Sequence, residues 1–132
     1  MIITIDGPAG VGKTTVGKLT AEKLGMGFLD TGIMYRALTW FLINKNLEDD
    51  SIDKIKSHLE NLNFDLNITN IDFTTVSINK INVTKLLNSP EVEKYVSKIS
   101  SFKEVREIMV KKQREIVYDS SSVVVGRDIG TI

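Results

Sequence analysis

The sequence predicts an α/β fold, a three-layer parallel sheet with helices on its faces and a small antiparallel insert. Three observations predict it. The chain opens on β-branched residues, MIITID, that end in Asp-Gly and run through a glycine-rich turn into a helical stretch. Near the other end, VVVG (residues 123–126) is apolar without alternation, as in a strand buried on both faces. Between them, NFDLNIT, FTTVSIN and INVTKLL are short, β-branched and punctuated by Asn, the pattern of a meander occupying about 62–87. With 132 residues, one domain spanning 1–132 is expected, carrying that insert.

The elements follow in order. Lys13 to Leu24 has helical character, with Val16, Leu19 and Leu24 able to share one face and Gly25 as a C-terminal stop. A short strand at Gly27–Leu29 leads through DTG to a second helix over about Ile33–Asn44, where Met34, Leu38, Phe41 and Leu42 repeat at helical spacing. Asp53–Asn61 reads as a short polar helix. Ser89-Pro90-Glu91 is a helix start, Ser capping and Pro at the first helical position, and helical character runs on to about Tyr118.

Composition excludes several function classes. A formal net charge of +0 gives no electrostatic footprint for nucleic acid or an anionic membrane, so any anion site must be local. The absence of cysteine rules out a disulfide scaffold and a thiolate nucleophile, and with one histidine, His58, zinc coordination is not expected. No apolar run approaches the length of about 20 residues that spans a bilayer, and MIITIDGPAG lacks the basic start and apolar core of a signal peptide. A cytoplasmic protein is expected. His58 sits in a polar stretch and reads as solvent-facing, KEVREIMVKKQRE as an exposed, salt-bridged helix face, and Trp40 and Phe41 as core packing.

GPAGVGKT, Gly7 to Thr14, fits G-x-x-x-x-G-K-[ST] between a predicted strand and a predicted helix. Its chemistry is that of a phosphate-binding loop. Gly7, Gly10 and Gly12 let backbone N–H groups turn inward around phosphate oxygens, with Pro8, Ala9 and Val11 completing the loop. Lys13 supplies charge to the β- and γ-phosphates, the Thr14 hydroxyl is placed to ligate Mg²⁺, and Thr15 follows in a helix N-terminus whose dipole favours the anion. The loop implies a nucleoside triphosphate with Mg²⁺. In LDTGIMYR a hydroxyl (Thr31), a phenol (Tyr35) and a guanidinium (Arg36) near the start of a helix suit a second anion, Arg by its planar fork. The same residues equally suit a cap, a core contact and a solvated charge.

ITIDGPAGVGKTT, LDTGIMYR and GRDIGT, in that order, resemble the bacterial cytidylate kinases, nucleoside monophosphate kinases specific for CMP and dCMP. The resemblance runs from Met1 to the last residue, and the meander is similar to the family's extra NMP-binding insert. It implies transfer of the γ-phosphoryl of ATP to CMP or dCMP, with Lys13 on the donor and Arg36 and Arg127 aligning the acceptor. By resemblance Thr31, Tyr35, Arg36 and Arg127 hold the acceptor phosphate, while Ser97, Arg106 and Asp128 read the base. A carboxylate suits the N4 amino group of cytosine and opposes the carbonyl of uracil. Ser97 and Arg106 are nine residues apart, about 180° round a continuous helix, so they converge only if the chain bends between them, as at Ser100-Ser101. Thr31 stands where relatives often have Ser, and Val125 where they often have an acidic residue. Family members continue beyond GRDIGT into further core strands, an arginine-bearing lid and an adenine-binding loop. The chain is therefore expected to be the N-terminal part of such a kinase, with weak phosphate binding, poor turnover and an open apolar edge that invites self-association; the full-length protein is expected to be a monomer. Adenylate, thymidylate or shikimate kinase, and a non-catalytic nucleotide-binding module, are the competing readings.

Overall fold

The computed structural model describes residues 1–7, 12–66, 75–118 and 120–126. Its element order is β1 (Ile2–Asp6), α1 (Lys13–Leu24), β2 (Gly27–Asp30), α2 (Thr31–Asn44), α3 (Ile52–Leu59), β3 (Phe64–Leu66), β4 (Val76–Ile78), β5 (Ile81–Asn82), a 3₁₀ turn at Thr84–Leu86, α4 (Pro90–Ser101), α5 (Lys103–Val117) and β6 (Ser122–Gly126). The first sheet is parallel with the order β1-β6-β2, so the last described strand lies in its middle. The three strands therefore end together, Asp6, Asp30 and Gly126 on one side of the sheet. The second sheet, β3-β4-β5, is antiparallel and forms the expected meander; residues 67–74, which include parts of NFDLNIT and FTTVSIN, lie outside the described residues.

The unbroken Val123–Val125 run is explained by burial on both faces. Val123 and Val125 pack with Ala21 of α1, Met26 and Phe28. Val124 and Leu29 join the larger core of Met34, Leu38, Leu42, Ile99 and Met109 from α2, α4 and α5. The predicted apolar face of α1 is not the buried one. Val16, Leu19 and Leu24 are exposed, and the helix meets the sheet through Gly17 and Ala21, one turn apart. Close approach decides this: a Cβ on Gly17 would lie 2.5 Å from Val125 Cγ1, so only small residues fit there.

α2 begins two residues earlier than predicted because Asp30 caps it, its Oδ1 accepting from the Gly32 N–H at 2.9 Å. In α5 the charged run has a buried stripe as well, Val105, Met109, Gln113 and Val117 at every fourth position. His58 is exposed, Phe41 is buried and Trp40 packs against the same core. β4 and β5 are joined by Asn79-Lys80, both at positive φ (48° and 70°), the geometry of a type I′ hairpin. The segment after α2 is tied to α4, where the Lys98 ammonium donates to Asp49 Oδ1 at 2.7 Å and the Tyr95 hydroxyl to Oδ2 at 3.3 Å. The Lys98 hydrogen bond holds the Asp49 carboxyl below its ordinary range, against an opposing effect of desolvation. Among the described residues no helix is long and apolar enough to cross a membrane.

Candidate active site

A cleft of about 750 Å³ lies at the carboxyl ends of the parallel strands, where open α/β sheets bind ligands. Gly12, Lys13 and Thr14 form one wall, at the start of α1. Asp30 to Gly32, Tyr35 and Arg36 form a second, from the β2–α2 junction and the next turn of α2. Ser97, Ser100 and Ser101 of α4, together with Arg106 of α5, form the third. A smaller cavity of about 280 Å³, lined by Leu62, Phe64, Lys112 and Ile116, lies apart from the strand ends.

The donor wall is built around Gly12. Its φ of 80° and ψ of 13° are left-handed, which a glycine adopts without strain, and its carbonyl starts the helix by accepting from the Val16 N–H at 3.1 Å. Among the described residues no side chain caps α1, so the orphan N–H groups of its first turn suit another acceptor. Lys13 opens the helix, and Thr15 is exposed within its first turn. Gly7 joins strand ends, its N–H donating to the Gly126 carbonyl at 3.3 Å. Pro8, Ala9, Gly10 and Val11, the rest of the predicted loop, lie outside the described residues, as do Arg127 and Asp128.

Thr14 has a partner that sequence reading missed. Its hydroxyl donates to Asp30 Oδ2 at 3.4 Å. Asp30 pairs in register with Val125, the position where the resemblance puts an acidic residue in relatives, so a carboxylate is present one strand over. The signal was available in LDTG as an Asp ending a strand, but it reads equally as a cap, and it is both. A hydroxyl and a carboxylate side by side are oxygen ligands of the kind Mg²⁺ takes. Thr31 is placed differently from its expected use. Its side chain is 2% exposed and its hydroxyl donates to the Val125 carbonyl at 3.0 Å, stitching α2 to the end of β6. Donation to a phosphate would require that bond to be exchanged.

Tyr35 and Arg36 face the cleft from one turn of α2. Arg36 Nη1 donates to the Leu87 carbonyl at 3.3 Å and is ion-paired with Glu93 of α4. The bend expected between Ser97 and Arg106 is present. α4 ends at Ser101, Phe102 is extended (φ −69°, ψ 127°), and α5 starts at Lys103. The Ser100 and Ser101 hydroxyls donate back to the Ser97 and Lys98 carbonyls at 3.2 and 2.6 Å, competing with continuation of the helix. The break lies one residue after the predicted pair, and it lets Ser97 and Arg106 line one cleft.

Comparison with known proteins identifies a family. A family described as cytidylate kinase matches residues 3–132. The chain is similar to the bifunctional pantoate ligase/cytidylate kinase of Prochlorococcus marinus. It is 45% identical to that of strain AS9601 and 46% to that of strain MIT 9312, each over 130 residues covering 98% of this chain and 26% of the relative. The chain thus spans about a quarter of the length of these curated relatives. A phosphate-loop helix, a capped DTG turn and a broken helix converge on one cleft, and the family match covers all three: the chain belongs to the cytidylate kinase family.

Proposed function

We propose that the protein transfers the γ-phosphoryl group of ATP to a phosphate oxygen of CMP or dCMP, giving ADP and CDP or dCDP. The observation that carries this reading is the single cleft in which Lys13 and Thr14 face Tyr35, Arg36, Ser97 and Arg106. The bond between the γ-phosphorus and the bridging oxygen to the β-phosphate breaks. A bond from the γ-phosphorus to the acceptor's phosphate oxygen forms. No general base is needed, because the attacking oxygen is already anionic, so positioning and positive charge carry the catalysis.

In this reading Lys13 and the first-turn N–H groups of α1 hold the donor phosphates, with Gly7 to Thr15 as the enclosing loop. Thr14 would hold Mg²⁺ directly and Asp30 would hold its water shell, and the ion would supply positive charge against the developing negative charge. Tyr35, Arg36 and Arg127 take the acceptor phosphate, with Thr31 beside them. Ser97, Arg106 and Asp128 read cytosine, Arg106 donating to its O2 or N3 acceptors and Asp128 accepting from N4. The protein is proposed to work in the cytoplasm, where ATP and its acceptors are found.

A panel of CMP, dCMP, UMP, AMP and shikimate as acceptors tests the proposal. Transfer to CMP and dCMP is expected, with UMP disfavoured by orders of magnitude, since a site built to pair the amino group leaves Asp128 unpaired with uracil. Lys13→Met should lower turnover by about 10²-fold or more, as loss of a phosphate-directed charge does. Preference for AMP or shikimate would overturn the assignment, and binding of ATP and CMP with no transfer would make the protein a non-catalytic module.

A further inference from the structure

Arg36 is held in a way that the acceptor reading does not itself require. Both contacts of its Nη1, the Leu87 carbonyl and the Glu93 carboxylate, lie on the α4 side of the cleft. Neither Nε nor Nη2 makes a hydrogen bond among the described residues. A guanidinium presents five N–H donors in a rigid plane. Fixing Nη1 at two points sets the orientation of that plane and leaves the Nε–Nη2 edge, which donates two parallel hydrogen bonds to one oxyanion group. Glu93 is itself well anchored. Ser89 caps α4 by accepting from the Val92 N–H, Pro90 opens the helix, and buried Val92 pins its first turn to the core. An acidic residue is favoured in a first helical turn by the dipole, and that accounts for its presence but not for its aim at Arg36.

We propose that Glu93 is a positioning residue for the acceptor site: it braces Arg36 so that the Nε–Nη2 edge meets the oxygens of a nucleoside monophosphate. The inference rests on the acceptor role of Arg36 given above. The opposite arrangement is a carboxylate lock that an incoming phosphate must displace, and it predicts the opposite sign. In the brace the phosphate approaches the edge remote from Glu93, so the two anions are kept apart by the guanidinium between them.

Calorimetric titration of CMP, cytidine and ATP into the protein and its Glu93→Ala and Glu93→Gln variants decides. Glu93→Ala should weaken CMP about threefold to fivefold, the range for a partly exposed ion pair, and leave cytidine and ATP unchanged. Glu93→Gln, whose amide oxygen still accepts from Nη1, should recover part of that loss. In an Arg36→Ala background Glu93→Ala should have no further effect, because the two residues act as one unit. Where turnover is measured, the change should appear in KM for CMP with kcat nearly constant. Tighter CMP binding by Glu93→Ala would establish the lock and overturn the brace. An equal loss for ATP or cytidine, or an equal loss in the Arg36→Ala background, would also overturn it. If the unaltered protein binds no CMP, the acceptor reading fails and the brace with it; CMP binding that ignores Glu93 overturns the brace alone.

Discussion

At Gly17 a Cβ would meet not only Val125 Cγ1 but also Phe28 Cε2 at 2.9 Å, both side chains fixed in the layer beneath α1. Gly17→Ala is therefore expected to cost about 1–3 kcal/mol, the range for overpacking a closed core, read as a lower urea midpoint. Gly12 offers the contrast, because a Cβ there meets nothing within 4 Å, and the cost of Gly12→Ala is the left-handed backbone itself, about 1–2 kcal/mol. Asp30 separates two functions in one side chain. Asp30→Asn keeps an acceptor for the Gly32 N–H and removes the charge beside Thr14. It should melt within about 0.5 kcal/mol of the unaltered protein yet need more Mg²⁺ for ATP binding, whereas Asp30→Ala should also lose about 1 kcal/mol of cap. The loop glycines were legible because phosphate chemistry dictates them at fixed spacing. Gly17 was not, because its requirement comes from side chains on two other elements, Phe28 of β2 and Val125 of β6, that only the fold brings beneath it.

Helix and strand identities were readable wherever period and caps agreed. Ser89-Pro90, the repeat of α2 and the VVV run each carried their own local signal. The orientation of α1 was misread because counting apolar residues favours Val16, Leu19 and Leu24, while packing distance favours Gly17 and Ala21. A break at Ser100-Ser101 was inferred from what two side chains must reach; it lies one residue on, at Phe102, and the serine hydroxyls that bond backwards supply its local cause. The β4–β5 turn carries a strained choice, with Lys80 at φ 70° where type I′ turns favour glycine. Lys80→Gly is expected to stabilise the protein by about 0.5–1 kcal/mol, checked by thermal melting. The Asp49 tie to α4 predicts a pH dependence of definite sign. Its folded carboxyl titrates below the ordinary 3.8, so its contribution is present above that value and is lost as pH falls through the lower, folded one. The stability gap between the unaltered protein and Asp49→Asn should narrow on that acidification.

Across the whole molecule, β1 pairs with β6 and with no other strand among the described residues, and its outer residues Ile2, Thr4 and Asp6 are exposed. Leu19 and Val16 of the neighbouring α1 are exposed as well. An open parallel edge beside apolar side chains favours association, so the 132-residue chain should show a concentration-dependent mass by light scattering. Leu19→Lys should shift it toward monomer. The central place of β6 has a further consequence in time. Its partners lie about 120 and 95 residues earlier in the chain (Ile2 with Ser122, Gly27 with Ser122), whereas α2 and α3 pack on α4 and α5, which precede β6, and β3 and β4 pair close in sequence. During synthesis the helical and meander core can take shape first, while β1 and β2 wait without the strand that joins them. The phosphate-facing end of the cleft, which needs all three strands, then forms only once β6 has emerged, and a nucleotide added to a nascent chain should find nothing to bind before that.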